Sequence, residues 1–206
     1  YQAVLDHPDV DAVYIPLPNA LHEEWTIKAA AAGKHVLCEK PIAASVQAAE
    51  RMRVACDDAG VLLAEAWMTP FDPRWAEVMR LAATGLVGAI TEVRSTFAFT
   101  IGPEASDNYR WDPTQGGGAL LDVGIYCVAY ARMVFGSAPS EVHSSAHIGE
   151  TGVDEQSAYL FRYDSGALAR MSSATRTETP HRVTISGTEG SIEVPDFWQA
   201  QELIVN

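Results

Sequence analysis

The first 65 residues alternate short apolar runs with longer segments rich in alanine. The apolar runs cover residues 11–15, 34–38 and 61–65. Each run has the length and composition of a β-strand. The intervening segments predict helices over about 20–32 and 45–58, with Asn19 and Ser45 as their N-caps. Strands and helices in this order predict a parallel sheet with right-handed crossovers, whose apolar strands are buried on both faces.

A short segment with polar residues follows each of the three predicted strands. These segments are residues 16–19, 39–41 and 65–67. Because the carboxyl ends of parallel strands meet at one edge of a sheet, where ligands of such folds bind, we expect the three segments to line a common edge.

The second half of the chain has a different pattern. After a predicted helix over 74–83, alternating polar and apolar positions predict strands. These strands cover about 90–100, 140–148, 155–163, 167–175, 181–187 and 190–194. Turn residues at 163–166 and 187–190 predict hairpins, and a helix is expected over 119–135. This half is therefore predicted to form a mostly antiparallel sheet.

The change of pattern divides the chain into two expected domains. The fold class is predicted as α/β followed by α+β, with an open antiparallel sheet in the second part. We place the first domain at residues 1–68 and the second at residues 69–206.

Composition narrows the class of protein. The 206 residues carry a formal charge of −13, and 48% of them are hydrophobic, which is typical of a soluble globular protein. The acidity disfavours a nucleic-acid partner, which needs clustered Lys and Arg. No uninterrupted apolar stretch approaches the roughly 18 residues of a membrane span. Three widely spaced cysteines predict neither a disulfide framework nor a metal site, and they favour a cytoplasmic location.

Two segments carry candidate chemistry. Glu39 and Lys40 follow an apolar strand and precede Pro41, which places an ammonium at the ligand edge; solvated charges at a strand end are the alternative. Asp122 and Tyr126 share one face of the predicted helix; a core tyrosine and an ordinary polar helix residue are the alternative. Gly124 between Asp122 and Tyr126 costs about 1 kcal/mol relative to alanine, which suggests a close approach by another backbone or by a ligand.

Pairs of aromatic and arginine residues form a third candidate group. Trp67 with Arg74, and Arg110 with Trp111, could hold a polyol by stacking and hydrogen bonding; arginines extended over surface aromatics are the alternative. The glycines at 116–118 do not continue into G-x-G-x-x-G, and the chain has no P-loop, H-E-x-x-H or G-x-S-x-G motif.

Taken together, these segments resemble the Gfo/Idh/MocA oxidoreductases. The resemblance rests on DAVYIPLPN at 11–19 with His22, on AGKHVLCEKP at 32–41 and on GGGALLDVGIY at 116–126, with GTEGS at 187–191. It covers nearly the whole chain. It implies a Rossmann domain followed by an α+β domain, with NAD or NADP as the hydride carrier. It also implies a sugar, polyol or diol as substrate and a homodimer or homotetramer formed through the second sheet.

The resemblance assigns roles to particular residues. Lys40 matches the catalytic lysine, and Tyr126 and Asp122 are expected to join it in the catalytic group. Trp67, Arg74, Arg110 and Trp111 are the expected substrate contacts. The expected cofactor contacts are Pro16, Pro18, Asn19, His22, Glu39, Lys40 and Pro41, with a cis peptide bond before Pro41.

Two departures from the family pattern are informative. Tyr126 stands where many members carry histidine, which resembles the branch that includes glucose–fructose oxidoreductase, D-xylose dehydrogenase and the dimeric dihydrodiol dehydrogenases. The glycine-rich loop of the family would precede Tyr1, and further strands and a helix would follow Asn206, so we expect the chain to be an internal part of a longer protein.

The residues suggest a mechanism for alcohol oxidation. Tyr126 is expected to take the hydroxyl proton, and the Lys40 ammonium to lower the pKa of the phenol. Two alternatives stay open at this point. One is a non-catalytic binding or oligomerisation domain, and the other is a glycosidase of the same family that uses NAD transiently.

Overall fold

The computed structural model describes residues 1–102, 107–197 and 202–206. In its first part, the strands β1 (Ala12–Ile15), β2 (His35–Glu39) and β3 (Leu63–Ala66) form a parallel sheet in the order β1-β2-β3. The helices of this part are α1 (Gln2–Leu5), α2 (His22–Ala31) and α3 (Val46–Ala59). The predicted helices and strands of this part are thus confirmed, with small shifts at their ends.

Local signals account for the ends of α3. The Ser45 side chain accepts a hydrogen bond from the Ala48 backbone N–H at 3.2 Å, and Gly60 follows the helix with φ of +66°. The predicted cap at Asn19 is wrong, because Asn19 opens a short 3₁₀ turn and makes no capping bond.

Burial within the first sheet follows the alternation of the strands. Val36 and Cys38 of β2 are buried against Met52, while His35 and Leu37 are exposed on the opposite face. The expectation of burial on both faces is therefore wrong for β2 among the described residues, because Ala29 of α2 and Met52 of α3 pack on the face of Val36 and Cys38 and leave the side chains of His35 and Leu37 exposed.

The second part contains a larger sheet with two helices. The helices are α4 (Pro73–Ala83) and α5 (Ile125–Phe135). The strands are β4 (Ile90–Ala98), β5 (Glu141–Ile148), β6 (Asp154–Arg162), β7 (Leu168–Ala174), β8 (Arg182–Gly187), β9 (Ser191–Pro195) and β10 (Ile204–Val205). Their order is β10-β9-β8-β4-β7-β6-β5. β4 and β7 run parallel, and the other neighbouring pairs of described strands are antiparallel. The predicted α/β and mostly antiparallel α+β fold class is confirmed.

Aromatic side chains of α4 and α5 form much of the core of the second part. The rings of Trp75 and Tyr130 stack with their centroids 4.3 Å apart, and Phe97 of β4 meets the ring of Tyr126 edge-on. The helical run Pro113–Phe135 is long and apolar enough to cross a membrane, and half of its most apolar window is buried inside the structure. Core helices of globular proteins meet the same criteria.

The helix that carries Asp122 and Tyr126 begins with a wide π turn, Leu120–Gly124. A Cβ on Gly124 would lie 2.7 Å from Tyr159 Oη and 2.9 Å from Ser173 Oγ. The close approach expected at Gly124 is thus made by two side chains of the sheet rather than by a backbone or a ligand. The helix sits against the sheet at a distance that only glycine permits.

We expect Gly124→Ala to lower the free energy of unfolding by about 1–3 kcal/mol, since the methyl group has to displace packed atoms. The control is Gly60→Asn, at a left-handed position with open space around it, where the cost should stay below about 1 kcal/mol. Denaturant unfolding of the complete gene product measures both. Equal losses in the two variants would contradict the packing explanation.

Candidate active site

The loops after β1 and β2 lie at one edge of the first sheet and line a common cavity. The cavity has a volume of about 270 Å³ and is closed on its other side by Tyr109 and Arg110 of the second part. Its lining from the first part is Pro16, Leu17, Pro18, Asn19, Glu39 and Lys40. The predicted meeting of the first two strand-end segments is therefore observed.

The carboxylate of Asp122 joins Lys40 and Arg110. Lys40 Nζ donates to the Asp122 backbone oxygen at 2.7 Å and to Oδ1 at 3.1 Å. Arg110 donates through Nε to Oδ2 at 2.5 Å and through Nη2 to Oδ1 at 3.2 Å. The Asp122 side chain is 3% exposed, so two cations satisfy one buried anion. We call this group the Asp122 clasp.

The start of the π turn sets the position of the Asp122 carboxylate. Asp154 Oδ2 accepts a hydrogen bond from the Leu120 backbone N–H at 2.8 Å and a second from Ser157 Oγ at 2.9 Å. A carboxylate beside the first free N–H groups of a helix is also stabilised by the helix dipole. Asp154 of β6 thus ties the helix start to the second sheet.

Tyr126 lies next to the clasp and is almost fully buried. The centroid of its ring is 5.4 Å from Lys40 Nζ and 4.6 Å from the Trp67 ring. Burial, reinforced by the carboxylates of Glu39, Asp122 and Glu65, raises the pKa of Tyr126.

This direction is opposite to the one expected from the sequence, where the Lys40 ammonium was to lower the pKa of Tyr126. The correction has a physical reason. Lys40 Nζ donates to Asp122, whose carboxylate offsets the positive charge of the ammonium. Burial of the phenol disfavours its ionised form.

Two of the expected cofactor residues make internal contacts. His22 is fully buried, with Nδ1 2.9 Å from the Pro41 carbonyl oxygen and Nε2 2.8 Å from that of Leu17. It thus joins the loops after β1 and β2. The Lys40–Pro41 peptide bond is cis, as the resemblance implies.

Asn19 links the first part to the glycine-rich loop of the second. Its Nδ2 donates to the Gly116 carbonyl oxygen at 2.8 Å. Gly116 has φ of +74°, a conformation that residues with a side chain rarely adopt. A Cβ there would also lie only 2.8 Å from Asn19 Cβ. The contact therefore requires glycine for two reasons.

The expected substrate contacts fall into three places. Trp67 packs on Tyr126, and Arg110 belongs to the Asp122 clasp. Arg74 lines a smaller cavity of about 60 Å³ together with Tyr126 and Tyr130. Trp111 lines neither of these cavities but two open grooves further out.

Three residues near the site have no role predicted from the sequence. Tyr109 lines the 270 Å³ cavity, and its ring lies 4.8 Å from the Arg110 guanidinium carbon. Tyr14 Oη donates to Glu39 Oε1 at 2.5 Å, and Glu65 Oε1 accepts from the Ile42 backbone N–H at 2.8 Å. The position of Glu65 at the end of a predicted strand was the one available signal.

Among the described residues, no group of three or more His, Cys, Asp or Glu side chains could hold a metal ion. Cys38, Cys56 and Cys127 are free and buried.

Comparison with known proteins places this geometry in a family. The profile described as "Oxidoreductase family, NAD-binding Rossmann fold" matches residues 1–66, and that described as "GFO/IDH/MocA C-terminal domain" matches residues 75–193. The chain belongs to the Gfo/Idh/MocA family.

Several characterised proteins are similar to the chain. D-xylose 1-dehydrogenase (NADP(+)) 2 of Haloferax volcanii is 40% identical over 193 residues, which are 94% of this chain and 59% of that protein. Trans-1,2-dihydrobenzene-1,2-diol dehydrogenase of Xenopus tropicalis is 32% identical over 210 residues, covering 100% of this chain and 62% of that protein.

A solved structure has a similar fold. Aldose-aldose oxidoreductase from Caulobacter crescentus, complexed with glycerol, superposes with a TM-score of 0.89 at 33% identity over 98% of this chain and 62% of that one. The chain thus spans about three fifths of the length of these relatives.

We expect the Tyr126 phenol to stay protonated at pH 10, where a free tyrosine is half ionised. The difference in tyrosinate absorbance between the parent protein and Tyr126→Phe isolates this group. Because the folded pKa lies above the unfolded one, the unfolded state loses its proton first, and stability should fall as the pH rises above about 10. A Tyr126 signal that appears below pH 10 would contradict the dominance of burial and the three carboxylates.

Proposed function

We propose that the protein is an NAD(P)-dependent oxidoreductase that transfers a hydride between nicotinamide and the hydroxyl-bearing carbon of a sugar, polyol or diol. The observation that carries the proposal is the meeting of Lys40, Asp122 and Tyr126 beside the cavity at the strand ends. The names of the relatives support it, since they describe a xylose dehydrogenase with NADP(+), a diol dehydrogenase and an aldose oxidoreductase.

The cavity suits one end of a dinucleotide. It lies at the carboxyl ends of parallel strands, where nucleotides bind in such sheets, and it combines apolar walls from Pro16 and Pro18 with the polar Asn19, Glu39 and Lys40. Its volume of about 270 Å³ is below the roughly 300–1,000 Å³ of pockets that enclose a drug-sized ligand. The lining residues therefore fit the nicotinamide end of the dinucleotide. Pro41 and His22 hold the loop that carries Lys40.

The proposed chemistry divides between the cofactor and the protein. Bound nicotinamide supplies or accepts the hydride. Tyr126 Oη donates the proton to the carbonyl oxygen in reduction and takes it from the hydroxyl in oxidation. Like any tyrosine, it is protonated at neutral pH, the form that can donate, and its raised pKa extends this form to alkaline pH.

The other residues orient the reactants. Lys40 binds the reacting oxygen with its ammonium, and Asp122 fixes Lys40 and Arg110 in place. Trp67 packs against the ring of Tyr126 and limits access of water to it. Arg74 and Trp111 contact the more distant parts of the substrate.

We propose the two domains as residues 1–68 and 69–206, supported by the separate sheets and cores of the two parts.

We also propose a homodimer or homotetramer formed through the second sheet. The face of the second sheet that is turned away from α5 carries exposed arginines that pair with glutamates. In an oligomer these arginines could pair with glutamates of another copy. The free cysteines support a location in the cytoplasm.

We expect Tyr126→Phe in the complete gene product to lower kcat by about 10²–10⁴, the usual contribution of a positioned acid or base, with cofactor affinity nearly unchanged. The control is Tyr163→Phe, which removes a buried hydroxyl that has no hydrogen-bond partner among the described residues. Steady-state formation of NADH or NADPH from a pentose or diol measures turnover. Unchanged turnover in Tyr126→Phe would contradict the assignment, and a product formed without net cofactor reduction would indicate transient use of the cofactor.

A further inference from the structure

A row of polar side chains on the second sheet lies beneath the π turn. Asp154, Ser157 and Tyr159 belong to β6, and Ser173 of β7 lies directly opposite Ser157 in the strand register. Asp154 Oδ2 accepts from Ser157 Oγ at 2.9 Å, and the Tyr159 and Ser173 hydroxyls bond each other. A sheet face that is covered by a helix is usually apolar, so four polar residues there point to a specific role. We call them the polar seat.

Asp154 of the polar seat holds the first residue of the π turn. The Leu120 backbone N–H donates to Asp154 Oδ2 at 2.8 Å. Gly118 leaves room for the other carboxylate oxygen, since a Cβ there would lie 2.2 Å from Oδ1. A hydrogen bond to an ionised acceptor is roughly twice as strong as a neutral one, so this contact fixes the start of the turn on β6.

Tyr159 and Ser173 of the polar seat meet the last residue of the turn. Gly124 approaches their hydroxyls so closely that a Cβ there would lie 2.7 Å from Tyr159 Oη and 2.9 Å from Ser173 Oγ. The two hydroxyls bond each other, which keeps both of them in place on the sheet. They therefore set how near the end of the turn comes to β6 and β7.

Asp122 lies midway between these two contacts. It is the third residue of the five-residue turn, and its carboxylate accepts from Lys40 Nζ at 3.1 Å and from Arg110 Nη2 at 3.2 Å. A hydrogen bond is lost beyond about 3.5 Å, so a displacement of Asp122 by roughly 0.5 Å would release Lys40 Nζ from the carboxylate. A change at either end of the turn is therefore enough to open the Asp122 clasp.

We propose that Asp154 and Tyr159 are positioning residues of the proposed active site. They act through the π turn to hold the Asp122 carboxylate against Lys40. The proposal rests on the oxidoreductase function proposed above and adds residues of the second sheet to those that the reaction depends on. The alternative is a helix cap and a core tyrosine that only stabilise the fold. That alternative predicts no change at the site of a folded variant.

The Tyr126 phenol can report the position of the clasp without turnover. The described charged and titratable groups next to it are Glu39, Lys40, Glu65, Arg74, Asp122 and Tyr130. If Asp122 moves away from Lys40, the phenol loses a carboxylate that raises its pKa and gains the attraction of a released ammonium, so its pKa falls. Because Tyr159→Phe leaves every charge of the protein unchanged, it can shift this titration only by moving these groups or by exposing the phenol.

The experiment compares Tyr159→Phe with Tyr163→Phe in the complete gene product. Both variants lose one buried phenol hydroxyl, but that of Tyr163 has no hydrogen-bond partner among the described residues. The Tyr126 signal is the tyrosinate absorbance that disappears when Tyr126→Phe is added to each protein. In Tyr159→Phe we expect this signal to appear at a pH lower by about one unit or more than in the wild type. We also expect kcat for a pentose or diol to fall about tenfold or more, whereas Tyr163→Phe should leave both quantities unchanged.

Variants of Asp154 test the other end of the turn. Asp154→Ala should shift both quantities in the same direction as Tyr159→Phe. Asp154→Asn keeps an oxygen that can accept from the Leu120 N–H and should lie between Asp154→Ala and the wild type. If Asp154→Ala does not fold, Tyr159→Phe decides the proposal.

An unchanged titration of Tyr126 in folded Tyr159→Phe would overturn the proposal whatever the effect on kcat, because the hydroxyl would then serve stability alone. If the wild-type protein oxidises no alcohol, the proposed function fails, and the titration still decides whether the polar seat positions Asp122.

Discussion

A carboxylate as deeply buried as that of Asp122 has to be neutralised, and the two cations that neutralise it come from distant parts of the chain. Lys40 follows β2 of the first sheet, and Arg110 lies in the loop between β4 and the π turn. Removing one partner of a buried ion pair typically costs about 3–5 kcal/mol, because the other charge is left uncompensated. The clasp therefore fixes the edge of the first sheet against the helix that carries Tyr126. The cavity is lined by Lys40 and Arg110, the two cations that bind Asp122.

Other contacts reinforce the same junction from each side. The bond from Asn19 to Gly116 holds the loop after β1, and the bonds of Asp154 hold the start of the π turn. A π turn adds one residue to a helical turn and is frequent at functional sites. Here it contains Asp122, the residue that makes the clasp, and it ends just before the tyrosine that we assign to proton transfer. The proton donor, the ammonium and the cavity are thus placed by one set of polar contacts, while the apolar cores lie beneath them.

The sequence predicts the elements well because their signals are local. Ser45 and Gly60 mark the ends of α3, and the turn residues at 163–166 and 187–190 lie at the predicted hairpins.

Long-range contacts were harder to foresee. The local pattern around Asn19 predicts a helix cap, but a carbonyl 97 residues away takes its amide. The pKa of Tyr126 was expected to fall because Lys40 was expected nearby. Lys40 is near, but only the fold reveals that its ammonium is bound to Asp122 and that the carboxylates of Asp122 and Glu65 both raise the pKa of the phenol. Motif resemblance named Lys40, Asp122 and Tyr126 together, and the fold supplies the reason for their grouping.

The coupling of Lys40 and Asp122 tests this account most directly. A double-mutant cycle with Lys40→Met, Asp122→Asn and the combined variant isolates the pair, with the free energy of unfolding as the measured quantity. The account predicts that the losses are not additive, with a coupling energy above about 1 kcal/mol, within the range for contacting residues. Additive losses, with a coupling energy near zero, would mean that the two residues are merely neighbours, and the clasp would then not be what holds the site together.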